Sequence, residues 1–243
     1  MPNQTPSRIE CHPQNDQDLI QQRCRVYLPP GYDESKERHY PVLYLLSGIH
    51  DDARTWAESS QCGGDAKTTL DNLIQQDVIR PLVVVMPKTN DWNHQHQQLH
   101  KDLPPLIKSI EKVYTQVQSN KTHRAIAGIS KGACQALEAG LQPPDLFSAT
   151  GSFSAALKTQ FDPSRTPWTV LPLNSGDYAG LQFFYITCGK QDTLFQANQE
   201  FTNALASLGI KHIAHYPDGG HNWNCWRTSL QPFLIALNNS GWG

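Results

Sequence analysis

Short apolar runs alternate with longer segments of helical periodicity along most of the chain. The apolar runs are bounded by glycine, proline or polar residues, which is typical of strands. Strands are predicted at 7–11, 21–28, 42–46, 82–86, 124–127, 149–153, 183–188 and 211–216, and helices at 103–117, 131–140, 201–208 and 226–237. This alternation predicts βαβ units, and hence an α/β fold with a mostly parallel central sheet and helices on both faces.

One predicted strand runs directly into a motif that carries chemistry. The strand at 124–127 continues into Gly128-Ile129-Ser130-Lys131-Gly132, and a helix is predicted to follow. Gly-x-Ser-x-Gly between a strand and a helix is typical of a nucleophile elbow, where a strained turn exposes the serine hydroxyl. An isolated match is more often an ordinary turn, so the interpretation depends on the partners of the serine.

Later strands supply an acid and a histidine in a fitting order. Asp192 follows the strand at 183–188, and His221 follows the strand at 211–216. The order Ser, Asp, His is that of α/β-hydrolases and differs from the two other common serine-protease orders. We predict a triad of Ser130, Asp192 and His221. Asp218 is the rival acid, but it is too close to His221 along the chain to come from a separate strand end.

An oxyanion hole requires two backbone N–H groups directed at the developing negative charge. One predicted donor is the N–H of Lys131, which directly follows the nucleophile at the start of a helix. The loop Ser47-Gly48-Ile49-His50 follows the strand at 42–46. Because Gly48 permits close approach, we assign the second donor to Ile49; an ordinary strand-ending turn is the alternative. The Lys131 side chain is expected to point to solvent or to the rim.

The chain resembles the putative-esterase superfamily of α/β-hydrolases from about residue 25 to about residue 237. The segments that carry the likeness are V-L-Y-L-L-S-G, V-V-V-M-P, R-A-I-A-G-I-S-K-G, P-D-L-F-S-A-T-G-S-F-S and D-G-G-H-N-W. This superfamily includes feruloyl and acetylxylan esterases of carbohydrate esterase family 1, S-formylglutathione hydrolase, siderophore esterases and mycolyltransferases. The chain departs from its pattern at Ser47, Lys131 and Ala133, where histidine, an uncharged residue and glycine are usual.

The resemblance implies a serine esterase that acts on feruloyl or acetyl esters of plant cell-wall polysaccharides. It also implies that an insert at about 155–182 covers the active site like a cap. A cytosolic thioesterase similar to S-formylglutathione hydrolase, an acyltransferase and a degenerate hydrolase that only binds its ligand are the alternatives.

Four tryptophans are predicted at the rim of the site, where an aromatic face can stack on a phenolic acid or a sugar. Trp56, Trp92 and Trp223 lie in loops that follow the predicted strands or His221, and Trp168 lies in the insert. Packing is the alternative for Trp223, and a stabilising role in a solvated connection is the alternative for Trp168. Trp226 is expected to pack within the last helix.

Length and charge limit the classes of partner. The 243 residues are enough for a single catalytic domain, 1–243, with a large core. The net charge of −2 and the absence of a basic run argue against nucleic acid, and no apolar stretch approaches the roughly 18 residues of a membrane span. The partner predicted is thus a small-molecule or polysaccharide ester, and the sequence leaves the oligomeric state open. The polar N-terminus predicts a protein that stays inside the cell, unless a signal segment was removed.

Cysteines and histidines offer two further patterns. Among the six cysteines, Cys11 with Cys24 and Cys62 with Cys225 are candidate bridges, whereas Cys134 and Cys188 are expected in the core. His94, His96 and His100 have a spacing that can hold a metal. Serine chemistry needs none, so we predict neither a metal nor another cofactor.

Overall fold

The computed structural model of the protein describes residues 4–12, 24–49, 51–88, 96–141, 146–157 and 180–243, with the backbone alone at 96–101. Eight strands form one sheet. They are β1 (Arg8–Cys11), β2 (Cys24–Leu28), β3 (Val42–Leu46), β4 (Val83–Pro87), β5 (Arg124–Ile129), β6 (Ala149–Phe153), β7 (Phe183–Thr187) and β8 (Ile213–His215). The helices are α1 (Ala66–Gln75), α2 (His96–Val113), α3 (Lys131–Leu141), α4 (Phe195–Ser207) and α5 (Trp223–Asn239).

The strand order in the sheet is β1-β2-β4-β3-β5-β6-β7-β8. The strand β2 pairs antiparallel with β1 and β4, and every later pair is parallel. The predicted α/β fold is therefore confirmed. The edge strand β8 is shorter than the predicted 211–216. The sequence predicted no bounds for α1, whose buried residues are only Ala66, Leu70 and Leu73.

Helices cover both faces of the sheet. Leu43 and Leu45 of β3 join a core cluster with residues of α1 and α5. Val42, Tyr44 and Leu46 alternate with them and join residues of α2 and α3 in the cluster on the other face. Because both faces are covered, β3 is buried along its whole length, which explains why it appears in the sequence as a continuous apolar run.

The parallel arrangement brings the loops that follow six strands to one edge of the sheet. The strands β3 to β8 run in the same direction, so their carboxyl ends lie together. The residues that follow these ends include Ile49, Ser130, Ser154, Asp192 and His221. Ligand sites of open α/β sheets occupy this edge.

None of the six cysteines forms a disulfide bond in the structure. In the β1–β2 register, Cys11 lies opposite Arg25 and not opposite Cys24. Cys62 is exposed, whereas Cys225 is buried. Neither candidate bridge is formed, and Cys134 and Cys188 lie in the core as expected.

The helix that follows the nucleophile approaches the sheet most closely at Gly140. A Cβ at this position would lie 1.7 Å from Thr150 Oγ1 and 2.9 Å from Thr150 Cβ. Thr150 is on β6, and its hydroxyl is buried without a hydrogen-bond partner among the residues described. The contact between α3 and β6 therefore requires a residue without a side chain at position 140.

We expect Gly140→Ala to lower the free energy of unfolding by about 1–3 kcal/mol, because overpacking at Thr150 outweighs the better helix propensity of alanine. Urea denaturation measures this change. In a Thr150→Ala background the same substitution should cost clearly less, since Oγ1 is gone; an equal cost in both backgrounds would contradict the steric explanation.

Candidate active site

Three side chains from three strand ends form one hydrogen-bonded line. The Nε2 atom of His221 lies 3.0 Å from Ser130 Oγ. The Nδ1 atom of the same ring lies 2.9 Å from Asp192 Oδ2 and 3.1 Å from Oδ1. Asp218 takes no part, because its side chain is 83% exposed and pairs with Lys190. The residues predicted as a triad are thus brought together with the spacing that proton transfer requires.

Ser130 sits in a strained turn between β5 and α3. Its φ is +52°, and a non-glycine residue in this left-handed region costs roughly 1–2 kcal/mol. Its backbone N–H donates to the carbonyl of Phe153 at 2.9 Å. This bond to the end of β6 holds the turn, which leaves the hydroxyl accessible at the edge of the sheet.

The carboxylate of Asp192 is completely buried. Burial raises its pKa, but hydrogen bonds from His221, from the Leu194 N–H and from Ser154 outweigh burial, and the pKa lies below the ordinary value of 3.8. The Leu194 N–H donates to Oδ1 at 2.8 Å. Because Asp192 is an anion, it accepts the Nδ1–H of His221, and the lone pair of Nε2 then faces Ser130.

The loops of the acid and the histidine are joined by backbone hydrogen bonds. The Lys190 N–H donates to the Pro217 carbonyl and the Gln191 N–H donates to the Gly219 carbonyl, both at 2.9 Å. The Gly219 N–H donates in return to the Gln191 side-chain carbonyl. These bonds prolong the β7–β8 pairing and fix the separation between Asp192 and His221.

Helix α5 supports His221 from the inner side. The Asn222 side chain accepts the Cys225 N–H at 3.1 Å and caps α5, as asparagine commonly does at a helix start. The ring of Trp226 meets the His221 ring at 4.9 Å and 89°. His221 packs against Trp226 on one side, and 32% of its side chain is exposed to solvent.

The two backbone N–H groups predicted to bind an oxyanion belong to Lys131 and Ile49. Lys131 begins α3, where the first N–H groups of a helix lack intrahelical acceptors. In the loop after β3, the Gly48 N–H already donates to Asp51 Oδ2 at 3.1 Å, and the neighbouring Ile49 is 38% exposed. The assignment of Lys131 and Ile49 as the two donors remains a prediction.

The start of α3 lies against this loop because residue 132 is glycine. A Cβ on Gly132 would lie 2.4 Å from the Ser47 carbonyl oxygen and 2.9 Å from that of Leu46. A side chain here would separate the two segments that carry the predicted donors.

The sequence profile of the "Putative esterase" family matches residues 21–237. The chain belongs to this esterase family.

Two curated relatives are longer than this chain. It is 28% identical over 229 residues to the endo-1,4-beta-xylanase/feruloyl esterase of Xylanibacter ruminicola, a match that covers 89% of this chain and 29% of the relative. It is 27% identical over 227 residues to the iron(III) enterobactin esterase of Escherichia coli O6:H1, covering 88% and 53% of the two chains. The esterase thus spans only about a third to a half of these curated relatives.

Among solved structures, a ferulic acid esterase has the same architecture. It superposes with a TM-score of 0.80 at 25% identity, covering 98% of this chain and 100% of that one. The likeness over both full lengths agrees with an α/β-hydrolase fold for this esterase.

Two of the tryptophans predicted at the rim lie in the core, and those expectations were wrong. Trp56 is 0% exposed, and its indole N–H donates to the Leu46 carbonyl at 3.0 Å. Trp223 is 8% exposed and meets the ring of Trp56 at 5.0 Å and 87°. Both follow polar loops in sequence, but the loops fold inward over the sheet. Trp92 and Trp168 lie outside the described residues, and their predicted contacts remain predictions.

The side chain of Lys131 is also placed differently from the expectation. Lys131 is only 4% exposed, whereas we expected its side chain at the solvent or the rim. The reason is that α3 packs between the sheet and its neighbours, so that nearly all its residues are buried.

Sequence reasoning missed three residues that support the triad. Ser154 accepts the indole N–H of Trp226, Trp226 contacts His221, and Asn222 caps the helix that begins beside His221. Asn222 carried a signal, because asparagine directly before an apolar helical pattern favours an N-cap. Trp226 was expected to pack, and it is 7% exposed; its contact with His221 depends on tertiary structure.

Neither a metal cluster nor a membrane helix occurs in the described part of the chain. No group of three potential ligands is close enough there to hold a metal. His94 lies outside that part, as do the side chains of His96 and His100. Within the same ranges, no helix is both long and apolar enough to cross a membrane.

We expect a fluorophosphonate to phosphonylate Ser130, forming an Oγ–P bond while the P–F bond breaks and His221 takes the proton. The labelling rate should fall as the pH is lowered, because protonated His221 cannot act as the base, while Asp192, whose pKa is lowered, stays ionised. Mass spectrometry at a series of pH values measures this rate. Labelling that is independent of pH, or that persists in Ser130→Ala, would contradict the assignment.

Proposed function

We propose that the protein is a serine carboxylic-ester hydrolase that uses Ser130, His221 and Asp192. The observation that carries this proposal is the continuous line from Ser130 Oγ through the His221 ring to the buried Asp192 carboxylate, with steps of 3.0 and 2.9 Å. Membership of an esterase family supports the same chemistry.

In the first half-reaction, Ser130 Oγ attacks the ester carbonyl carbon while its proton passes to His221 Nε2. The carbonyl oxygen becomes an oxyanion, which the N–H groups of Lys131 and Ile49 stabilise. Asp192 stabilises the imidazolium that forms. The C–O bond to the alcohol then breaks, and the alcohol leaves with the proton from Nε2.

In the second half-reaction, water attacks the acyl group on Ser130. His221 takes a proton from the water and returns it to Ser130 Oγ as the acyl bond breaks. The carboxylic acid is released, and the free enzyme is regenerated.

The proposed substrates are feruloyl or acetyl esters of plant cell-wall polysaccharides. Support comes from a relative at 28% identity whose name combines xylanase and feruloyl esterase, and from a ferulic acid esterase structure at 25% identity. Trp56 and Trp223 lie in the core, so of the four tryptophans predicted to stack on the substrate, Trp92 and Trp168 keep that prediction. The acyl preference therefore draws its support from the relatives more than from the described site.

The alternative functions differ from this proposal in the leaving group or in the acceptor of the acyl group. A thioesterase similar to S-formylglutathione hydrolase would release a thiol, and an acyltransferase would pass the acyl group to an alcohol in preference to water. A degenerate hydrolase that only binds a ligand would have a broken triad, whereas the three side chains here are in contact.

Ser130→Ala is expected to lower the turnover of a simple aryl ester by about a thousandfold or more, because the triad acts as one unit. Spectrophotometric release of p-nitrophenol from its acetate measures this. Urea denaturation should show a free energy of unfolding close to that of the wild type, so that loss of folding does not explain the result. Near-native turnover in this variant would overturn the proposal.

A substrate panel distinguishes hydrolysis of the proposed esters from thioester hydrolysis and from acyl transfer to an alcohol. We expect the wild type to hydrolyse methyl ferulate or acetylated xylan with a higher kcat/KM than S-formylglutathione. Liquid chromatography of the released acids, with and without an added alcohol acceptor, measures the products. If only S-formylglutathione is turned over, or if the alcohol ester dominates over the acid, the substrate assignment fails while the triad stands.

A further inference from the structure

The loop that follows β3 lies against both sides of the nucleophile turn. A Cβ on Gly132 would lie 2.4 Å from the Ser47 carbonyl oxygen, and a Cβ on Gly48 would lie 3.8 Å from Ile129 Cδ1. Ile129 directly precedes Ser130, and Gly132 follows it by two positions. This loop therefore runs beside the segment that carries the nucleophile.

Within the loop, Asp51 holds Gly48 through two hydrogen bonds. The Gly48 N–H donates to Asp51 Oδ2 at 3.1 Å, and the Asp51 N–H donates to the Gly48 carbonyl at 3.3 Å. One residue thus occupies both backbone polar groups of Gly48, so the peptide groups before and after this glycine are both fixed.

The second of these bonds sets the direction of the Ile49 N–H. The Gly48 carbonyl and the Ile49 N–H belong to one planar, trans peptide group, so they point in opposite directions. Because the carbonyl is turned toward the Asp51 backbone, the Ile49 N–H is turned away from it. None of the hydrogen bonds between described residues uses this N–H, which is therefore available to a ligand.

We infer that Asp51 is a positioning residue for the oxyanion hole, whose carboxylate and backbone N–H hold Gly48 so that the Ile49 N–H faces the developing oxyanion. This role rests on the proposed esterase function, because it concerns a donor of the same site. Asp51 does not touch the reacting atoms; it acts through the peptide group that follows Gly48.

The glycine at position 48 is explained by the same contact. A Cβ there would lie 2.7 Å from Asp51 Oδ2, well inside van der Waals contact. The φ of Gly48 lies outside the left-handed region, so the backbone conformation by itself does not require glycine. Position 48 therefore lacks a side chain so that the Asp51 carboxylate can approach its N–H.

Other contacts fix the base of the loop without the Asp51 carboxylate. The Ser47 hydroxyl donates to the Asp52 carbonyl at 3.0 Å, and the Trp56 indole N–H donates to the Leu46 carbonyl at 3.0 Å. Removal of the Asp51 side chain should therefore leave the loop folded and change mainly the orientation of the peptide groups that it holds.

Asp51→Ala removes the acceptor of the Gly48 N–H. We expect kcat for p-nitrophenyl acetate to fall by about tenfold to a hundredfold. We expect KM to change by less than about threefold, because the oxyanion forms in the transition state and not in the bound ester. Urea denaturation should show that the variant is folded. An unchanged kcat, or a loss carried by KM alone, would overturn the inference.

Asp51→Asn separates the hydrogen bond from the charge. The amide oxygen of asparagine can accept the Gly48 N–H as the carboxylate does, so kcat should stay within about threefold of the wild-type value. A loss as large as that in Asp51→Ala would mean that the negative charge and not the hydrogen bond matters, which would also overturn the inference.

A matched control is the next acidic residue of the same loop. The carboxylate of Asp52 accepts the Arg54 N–H at 2.7 Å and pairs with the Arg54 guanidinium at 2.9 Å. Asp52→Ala removes these contacts but keeps the carbonyl that accepts the Ser47 hydroxyl, so kcat should stay within about twofold of the wild-type value. An equal loss in this control would mean that any change in the loop disturbs the site, and the inference would fail.

Gly48→Ala tests the contact from the other side. In the wild type the new Cβ displaces the Asp51 carboxylate, and kcat should fall about tenfold. In an Asp51→Ala background Oδ2 is gone and Ile129 Cδ1 lies at an ordinary distance of 3.8 Å, so the same substitution should cost little more. Fully additive losses would contradict the coupling between the two positions.

Binding of phenylboronic acid tests the oxyanion hole without turnover. Ser130 Oγ bonds to boron while His221 takes the hydroxyl proton, and the tetrahedral boronate anion resembles the intermediate. Asp51→Ala should weaken this binding about tenfold and Asp51→Asn should not, as calorimetry measures.

Equal affinities of the wild type and Asp51→Ala for the boronate, or no binding by the wild type, would overturn the inference. If the wild type binds the boronate but hydrolyses no ester, the proposed function fails, and the affinities of the variants still decide the role of Asp51.

Discussion

The buried carboxylate of Asp192 is the group on which the arrangement of the site depends. An anion removed from water is strongly destabilising unless it is paired and hydrogen-bonded. Here the ring N–H of His221 and the backbone N–H of Leu194 donate to it, and its pKa lies below the ordinary range despite the burial. Each donor that stabilises the charge is thereby fixed in position, so the requirement to neutralise Asp192 also orients the base.

The order of the parallel strands in the sheet places the residues of this site next to one another. Adjacent strands lie about 4.8 Å apart, and β5, β6, β7 and β8 are consecutive neighbours in the sheet. Their ends carry in turn Ser130, Ser154, Asp192 and, after a longer loop, His221. The end of β6 thus lies between the ends of β5 and β7 in strand order, and its Phe153 carbonyl holds the Ser130 turn.

The fold and the meeting of Ser130, Asp192 and His221 could be predicted because each has a signal that is local in sequence. Continuous apolar runs mark strands covered on both faces, and the elbow glycines, the strand-end Asp192 and the glycines before His221 mark the loops. The burial of Trp56 and Trp223 could not be predicted in this way. Their loops are polar in sequence, and only tertiary structure shows that they turn the indole rings inward. Ser154 was missed for a related reason, since a serine at a strand end is common and its hydrogen bond with Trp226 joins residues 72 positions apart.

Because Trp56 and Trp223 point into the core, they have a different role at the site from the one predicted. Trp56 meets Trp223 at 5.0 Å, Trp223 meets Trp226 at 5.4 Å, and Trp226 meets His221 at 4.9 Å, each pair close to perpendicular. Edge-to-face pairs of this kind contribute about 0.5–1.5 kcal/mol beyond the burial of their surface. Trp56 and Trp223, which we expected to hold a substrate, instead belong to a series of aromatic contacts that begins at the Leu46 carbonyl and ends at the His221 ring. Within the described residues, these tryptophans therefore pack the core and hold the His221 ring, whereas the substrate contacts of Trp92 and Trp168 remain predictions.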